Sequence, residues 1–403
     1  MVIGCDIDHQ VVEAVNRGDS PIKNEPGLSE AVAQGVASGR LWATTDTSRA
    51  TSQSDVVVVI VPLIIEQNRQ PDFRSIDAAT QAIAQGLHRG QLVIYETTLP
   101  VGTTRRRFGG LLEDLAGLIP GQDFWLAFSP ERVYSGRIFD DLQRYPKVVG
   151  GIDPTSTSRA AEFYRLALGA EILEVENAEV AEFTKLIETT YRDVNIALAN
   201  EFAQYAAEHG IDVTAAIRAA NTQPFSHIHR PGVGVGGHCI PVYPYFLLNS
   251  DNGPESNSLK LPRLARAIND EMPYYAIDLL IRALSGLADR RVLILGLAYR
   301  GNVKETAFTP AMGLIAALKL QRAQVLLNDP LFSAEEVEAY KVRSVALNHP
   351  LRVDAVILQA YHDAYQTLDL SLFEGCQVIL DGCNALDRAA VEAHGMQYLG
   401  IGR

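Results

Sequence analysis

Cys239 stands in the segment PGVGVGGHCIP (231–241), which places four glycines in the six positions 232–237. Glycine lets a backbone approach a ligand closely and adopt positive φ without penalty. The N–H groups of such a loop can converge on an anion or a developing oxyanion. A thiolate attacking a carbonyl needs surroundings of that kind. The same pattern also suits a buried structural cysteine in a glycine turn, because free cysteines are among the most buried residues. Local electrostatics decides between the two.

The elements around that thiol read as an α/β protein. Short apolar runs at 2–5, 41–44, 56–61, 92–95 and 125–128 alternate with helical patterns such as 11–17 and 76–87. This alternation indicates βαβ units and a parallel sheet. From 178 to 209 the pattern is helical with no Gly or Pro inside. A helix of roughly 30 residues is about 45 Å long, so it connects domains or builds a dimer interface. Another helical stretch covers 261–287. Strand signals then resume at 291–297, 324–328, 355–359 and 376–381, with a helix from Pro310, which indicates a second α/β domain.

Composition narrows the function classes. With 403 residues, two or three domains are expected. The content is 47% hydrophobic and 21% charged, as in ordinary globular chains. A formal net charge of −13 argues against nonspecific binding to nucleic acid or an anionic membrane. The longest apolar run, 55–65, contains Pro62 and is too short to span a bilayer. Cys5, Cys239, Cys376 and Cys383 form no CxxC pair, and no signal peptide is recognised, so a reducing cytoplasm is expected. No metal site is expected.

The opening VIGCDID (2–8) reads as the second strand of a dinucleotide-binding fold, in which a terminal acid holds the ribose hydroxyls. Asp6 is that acid, and Asp8 better fits an N-cap for the following helix. A GxGxxG turn belongs about 20 residues before the acid, yet five residues precede Asp6. The expectation is therefore that the first strand and its phosphate-binding turn are absent. The chain as written would then bind NAD weakly or not at all.

Five segments carry a family resemblance. They are ETTLPVGT (96–103), SPERV (129–133), KLIETTYRDVNIALANE (185–201), GVGGHCIP (234–241) and LGLAYRGNVKET (295–306). Their order and spacing resemble the UDP-glucose/UDP-N-acetylmannosamine dehydrogenase family, especially the branch acting on UDP-N-acetylhexosamines, over nearly the whole chain. The resemblance implies a Rossmann-like NAD domain at 1–175, lacking its first βα unit. It further implies a central helical dimerisation and catalytic domain at 176–288 and a UDP-binding α/β domain at 289–403.

The implied chemistry is a four-electron oxidation of a sugar C6 alcohol to the acid, with NAD as cofactor, in polysaccharide biosynthesis. Cys239 would form a thiohemiacetal and then a thioester that water hydrolyses. Lys185 would stabilise the oxyanion, and it shares one helix face with Thr189 and Arg192. Glu131 would act as base or position water, and Thr98 would lie near the nicotinamide and the hydrolytic water. Asp6, Pro62, Thr98 and Glu131 would line the cofactor. Lys185, Thr189, Arg192, Arg230, Gly236, Gly237, Arg300 and Lys304 would contact the UDP-sugar, with His229 and Asn302 as further contacts. A homodimer is implied.

Three positions depart from the family pattern. Thr189 stands where Asn is usual, Tyr243 where Asp is usual and Ala307 where Arg is usual. A tyrosine, with a reference pKa of about 10, cannot replace a carboxylate near neutral pH. These departures lean the expected substrate toward an N-acetylhexosamine nucleotide and away from UDP-glucose. Two rivals remain. One is a two-electron β-hydroxyacid dehydrogenase, against which the GGHC loop and second α/β domain argue. The other is a non-catalytic UDP-sugar-binding or dimer-forming remnant.

Overall fold

A computed structural model of the chain describes residues 1–22, 25–66, 68–134, 136–249 and 259–403. It divides into two compact units, Met1–Glu188 with Tyr245–Ser256, and Thr189–Pro244 with Asn257–Arg403.

The first unit opens with strand β1 (Val2–Cys5), helices α1 (His9–Arg17) and α2 (Leu28–Ala37), and strand β2 (Leu41–Thr44). The strands pair in parallel, Val2 opposite Leu41. Asp8 caps α1, accepting the Gln10 N–H at 2.8 Å, which is the role its sequence position suggested. Gly18, at φ 86°, ends the helix.

A second sheet contains β3 (Val56–Val59), β4 (Leu92–Tyr95), β5 (Trp125–Phe128), β6 (Lys147–Gly151) and β7 (Ile172–Glu174), in that order. Helices α3 (Arg74–Gly86) and α4 (Pro154–Ala167) belong to the same unit. β3 stops short of the expected 56–61, since Pro62 brings no N–H to a ladder and constrains the residue before it. β4 is buried at all four positions, consistent with its unbroken apolar run.

The sheet is mixed, contrary to the parallel sheet expected. β6 runs antiparallel to β5, pairing Ala127 with Gly151. The unit β6–α4–β7 was not picked out from the sequence, although Asp153-Pro154 is a helix start. Asp153 accepts the Thr155 and Ser156 N–H groups at 2.8 and 3.0 Å, with Pro154 in the first turn.

Helix α5 (Ala178–Glu208) has 31 residues and matches its sequence reading closely. In the second unit, α6 (Lys260–Leu284) tolerates an internal proline, Pro273. A Cβ at Gly313 would lie 2.8 Å from the Pro273 Cβ, so glycine permits that helix contact.

The main sheet of this unit has six strands among the described residues: β8 (Arg291–Leu295), β9 (Gln324–Asn328), β10 (Arg343–Ser344), β11 (Ala355–Leu358), β12 (Val378–Asp381) and β13 (Gln397–Gly400). Helix α7 (Pro310–Leu320) follows β8. All strand pairs are parallel, in the order β10-β9-β8-β11-β12-β13. Counted within the unit this is 3-2-1-4-5-6, the doubly wound dinucleotide-fold order. Val292, Ile294, Leu327, Ile357 and Leu380 pack with Met272 and Leu280 of α6 and Leu314 of α7 in one core.

Candidate active site

In the first unit, an acidic cluster forms where β4 and β5 end. The Ser129 N–H donates to the Tyr95 carbonyl at 3.0 Å, and its hydroxyl donates to the Val148 carbonyl at 2.8 Å. This fixes the turn that presents Glu131. Glu131 Oε1 accepts the Arg132 and Val133 N–H groups at 2.6 and 3.0 Å. Lys147 Nζ donates to Glu96 and lies 3.3 Å from Glu131 Oε2. The Tyr164 hydroxyl also donates to Glu96. Lys185 Nζ donates to the Glu131 carbonyl, and Arg132 pairs with Glu188. Glu131 and Lys185, singled out from sequence for separate roles, are thus direct neighbours.

Thr98 is buried on the loop after β4. That loop enters a π-helix, Thr103–Gly109, whose start is held by α5. Glu182 accepts the N–H groups of Gly102 and of Thr104, the latter at 2.8 Å. Arg105 bonds Glu179 at 2.6 and 3.1 Å.

Electrostatics separates the carboxyls. Burial pushes Glu96 up to about 7, with the hydrogen bond to Glu131 adding to it and Lys147 opposing it. Burial pushes Glu131 the same way, but bonds from Glu96 and the Arg132 N–H and the Lys147 charge outweigh it, holding Glu131 below the usual range. Burial also pushes Glu182 up to about 7. Lys147 and Tyr164 were missed from the sequence. The available signal was a lone lysine in the otherwise apolar strand KVVGG (147–151).

The residues expected to hold NAD sit at carboxyl ends of strands, where nucleotides bind in such sheets. Asp6 follows β1, is exposed, and accepts the Asp8 N–H at 2.9 Å through one oxygen. Pro62 is exposed beyond β3, and Thr98 follows β4. An exposed carboxylate beyond a parallel strand fits the ribose hydroxyls of a dinucleotide.

Cys239 belongs to the second unit and is exposed, so the alternative of a buried structural cysteine does not hold. Its loop lies against the segment that follows β8. A Cβ at Gly236 would fall 2.6 Å from the Tyr299 Cβ, and one at Gly237 would fall 3.0 Å from the Tyr299 ring. Gly237 has φ 97° and donates its N–H to the Ala307 carbonyl at 2.8 Å. That N–H is therefore spent within the protein and is not a free oxyanion donor, contrary to the sequence expectation. The glycines serve close packing here. His238 pairs with Glu305. Tyr243, at the position where the family carries Asp, donates its N–H to the Cys239 carbonyl at 2.9 Å.

The remaining expected contacts lie in the same unit. Thr189 is buried and Arg192 half-buried on α5. His229 is half-buried, its N–H donating to Asn195 Oδ1 at 2.8 Å, and Arg230 is exposed. Arg300 is exposed near its neighbour Tyr299, with Nε 3.1 Å from the hydroxyl. Lys304 pairs with Glu336 at 2.7 Å. Asn302 has φ 62°, and its N–H donates to His362 Nδ1 at 3.1 Å. Asp329 accepts the Leu297 and Ala298 N–H groups at 2.7 and 2.9 Å, and the His362 Nε2–H at 3.1 Å. Among the described residues no metal-binding cluster occurs.

The doubly wound second unit, the exposed thiol on a glycine loop and the acid–lysine cluster together describe a dehydrogenase of nucleotide-linked substrates. The pattern of the UDP-glucose/GDP-mannose dehydrogenase family matches three times: its NAD-binding domain at residues 1–168, its central domain at 179–271 and its UDP-binding domain at 293–388. The UDP-N-acetyl-D-mannosamine dehydrogenase of Pyrococcus horikoshii is 35% identical, over 100% of this chain and 93% of its own. The NDP-N-acetyl-D-galactosaminuronic acid dehydrogenase of Ralstonia nicotianae is 34% identical, over 94% and 89%. A solved UDP-D-ManNAc dehydrogenase from Pyrococcus horikoshii superposes with a TM-score of 0.88 at 34% identity, covering 100% of this chain and 93% of that one. The chain belongs to the UDP-glucose/GDP-mannose dehydrogenase family and is an NAD-dependent nucleotide-sugar dehydrogenase.

Proposed function

We propose that the protein oxidises the C6 alcohol of a UDP-N-acetylhexosamine, UDP-ManNAc or UDP-GlcNAc, to the uronate by a four-electron route through Cys239. The exposure of Cys239, on a loop bonded to the segment after β8, carries this reading. It sets a nucleophile beside a nucleotide-type strand end. NAD supplies the hydride-accepting chemistry for both oxidations. Cys239 adds to the C6 aldehyde, forming a C–S bond while the carbonyl oxygen takes a proton. Loss of hydride and proton gives the thioester. Water then attacks, the C–S bond breaks, and acid and thiol are released. Glu131 takes the proton from that water, and Lys185 steadies the oxyanion. Arg192, Arg230, Arg300 and Lys304 receive the diphosphate and uridine. The names of the two relatives cited favour an acetylated hexosamine.

The experiment is an NADH count with limiting UDP-sugar. The expected yield is two NADH per sugar for an N-acetylhexosamine substrate, with UDP-glucose slower. Cys239→Ser is expected to abolish the full yield. A yield of one, or full turnover by Cys239→Ser, rejects the covalent route. No NADH, alongside measurable UDP-sugar binding, identifies a binding remnant instead.

A further inference from the structure

We propose that Glu96 is a positioning residue for Glu131: a buried acid that keeps its own proton and, through a hydrogen bond, holds the Glu131 carboxylate ready as base. The proposal rests on the reading of Glu131 as that base. Two carboxyls converge on one ammonium, Lys147, whose side chain is only 6% exposed. With both ionised, two negative charges would share this nearly buried ammonium, which favours one carboxyl keeping its proton.

The surroundings decide which one. The Glu96 side chain is 12% exposed and that of Glu131 36%. Glu131 accepts two backbone N–H groups, at 2.6 and 3.0 Å, which favour its charged form. Glu96 accepts from side chains only, Lys147 and the Tyr164 hydroxyl. The proton therefore stays on Glu96, and the ionised oxygen is the outer one, on Glu131. The directions given above for the two carboxyls agree, upward for Glu96 and downward for Glu131. Paired groups driven apart in this way mark acid and base partners.

The ionisable groups facing Glu131 are Glu96 beyond β4, Lys147 on β6, Tyr164 on α4 and Lys185 on α5. Arg132 beside it is paired to Glu188. An ion pair serving structure alone would need one carboxylate for Lys147. The second serves Glu131.

The test is a titration of the full chain, labelled with carboxyl-13C glutamate, followed by NMR. The proteins are wild type, Glu131→Gln, Glu96→Gln and Glu96→Ala. The wild type is expected to show two glutamates titrating near neutrality, Glu96 and Glu182, of which one is lost in Glu96→Gln, which keeps the shape of the site. The signal lost in Glu131→Gln is expected to titrate at higher pH in Glu96→Ala. In turnover, Glu96→Ala should raise the ratio of kcat/KM at pH 7 to that at pH 5 by about threefold or more, with Glu96→Gln near wild type. Retention of both near-neutral signals in Glu96→Gln overturns the proposal, as does an unmoved Glu131 signal in Glu96→Ala. Full activity with an unchanged acid limb in Glu131→Gln instead overturns the base reading of Glu131.

Discussion

Arg266 and Asp193 meet inside the second unit with 3% and 0% of their side chains exposed. Asn269 donates to Asp193 Oδ1 at 2.8 Å, and Asn200 donates to Asn269 Oδ1 at 2.9 Å. Asn200 in turn accepts the Gly232 N–H at 3.0 Å. A buried polar chain thus runs from α6 through α5 to the loop of Cys239. Burial pushes Asp193 up to about 6 in spite of the Arg266 charge. Removing the arginine strands a buried carboxylate, and losses of that kind are about 3–5 kcal/mol. Arg266→Met is expected to lose stability on that scale at pH 8, measured by urea unfolding. The sign of the pH effect follows from a folded-state pKa raised above the unfolded one. Such a group favours folding below its unfolded pKa and loses that contribution as pH rises through the folded value. The variant's deficit should therefore shrink as pH falls toward 5.

The turn after β8 is an element held by one histidine. The Asn302 N–H on Nδ1 leaves Nε2 as the proton-bearing nitrogen, which donates to Asp329. Asp329 also receives two N–H groups of the turn. His362→Ala releases the N–H of the exposed Asn302 and removes a donor from the buried Asp329, the latter a loss of about 1–3 kcal/mol. The expected outcome is lower stability by urea unfolding and weaker UDP binding by calorimetry.

Such elements also show what the sequence could tell. β4, β5 and β9 were legible to the residue, because buried parallel strands are bounded apolar runs. α5 was legible because nothing interrupts its period. The strand direction of β6 was not, since pairing depends on partners distant in sequence. The same holds for Glu96, Lys147 and Tyr164, where the bonded residues are 51 and 68 positions apart. The family motifs contain Glu96, Glu131, Lys185 and Cys239, but they mark neither the bond of Lys147 to Glu96 nor the packing use of the glycines.

At the scale of the molecule, α5 carries an exposed apolar stripe: Phe183, Ile187, Tyr191, Leu198, Phe202 and Tyr205. Spacings of three, four and seven keep these residues near one helical face. A stripe this long on one helix is expected to be covered by a second copy of the chain. Light scattering should report a dimer, and Phe202→Glu with Tyr205→Glu should report the monomer mass. Wild-type protein that scatters as a monomer would reject the dimer. Among the described residues no helix is long and apolar enough to cross a membrane, so the stripe is not a membrane span.

The attachment of the Cys239 loop bears on recombination between relatives. Its contacts run forward to Tyr299 and Ala307 and back to Asn200, and the His229 N–H just ahead of it reaches Asn195. A crossover placed between the loop and β8 would pair a foreign loop with a foreign seat. A crossover ahead of Asn195 carries thiol, asparagines and seat together. Chimeras that exchange substrate preference should therefore inherit nucleophile and nucleotide segment as a single block.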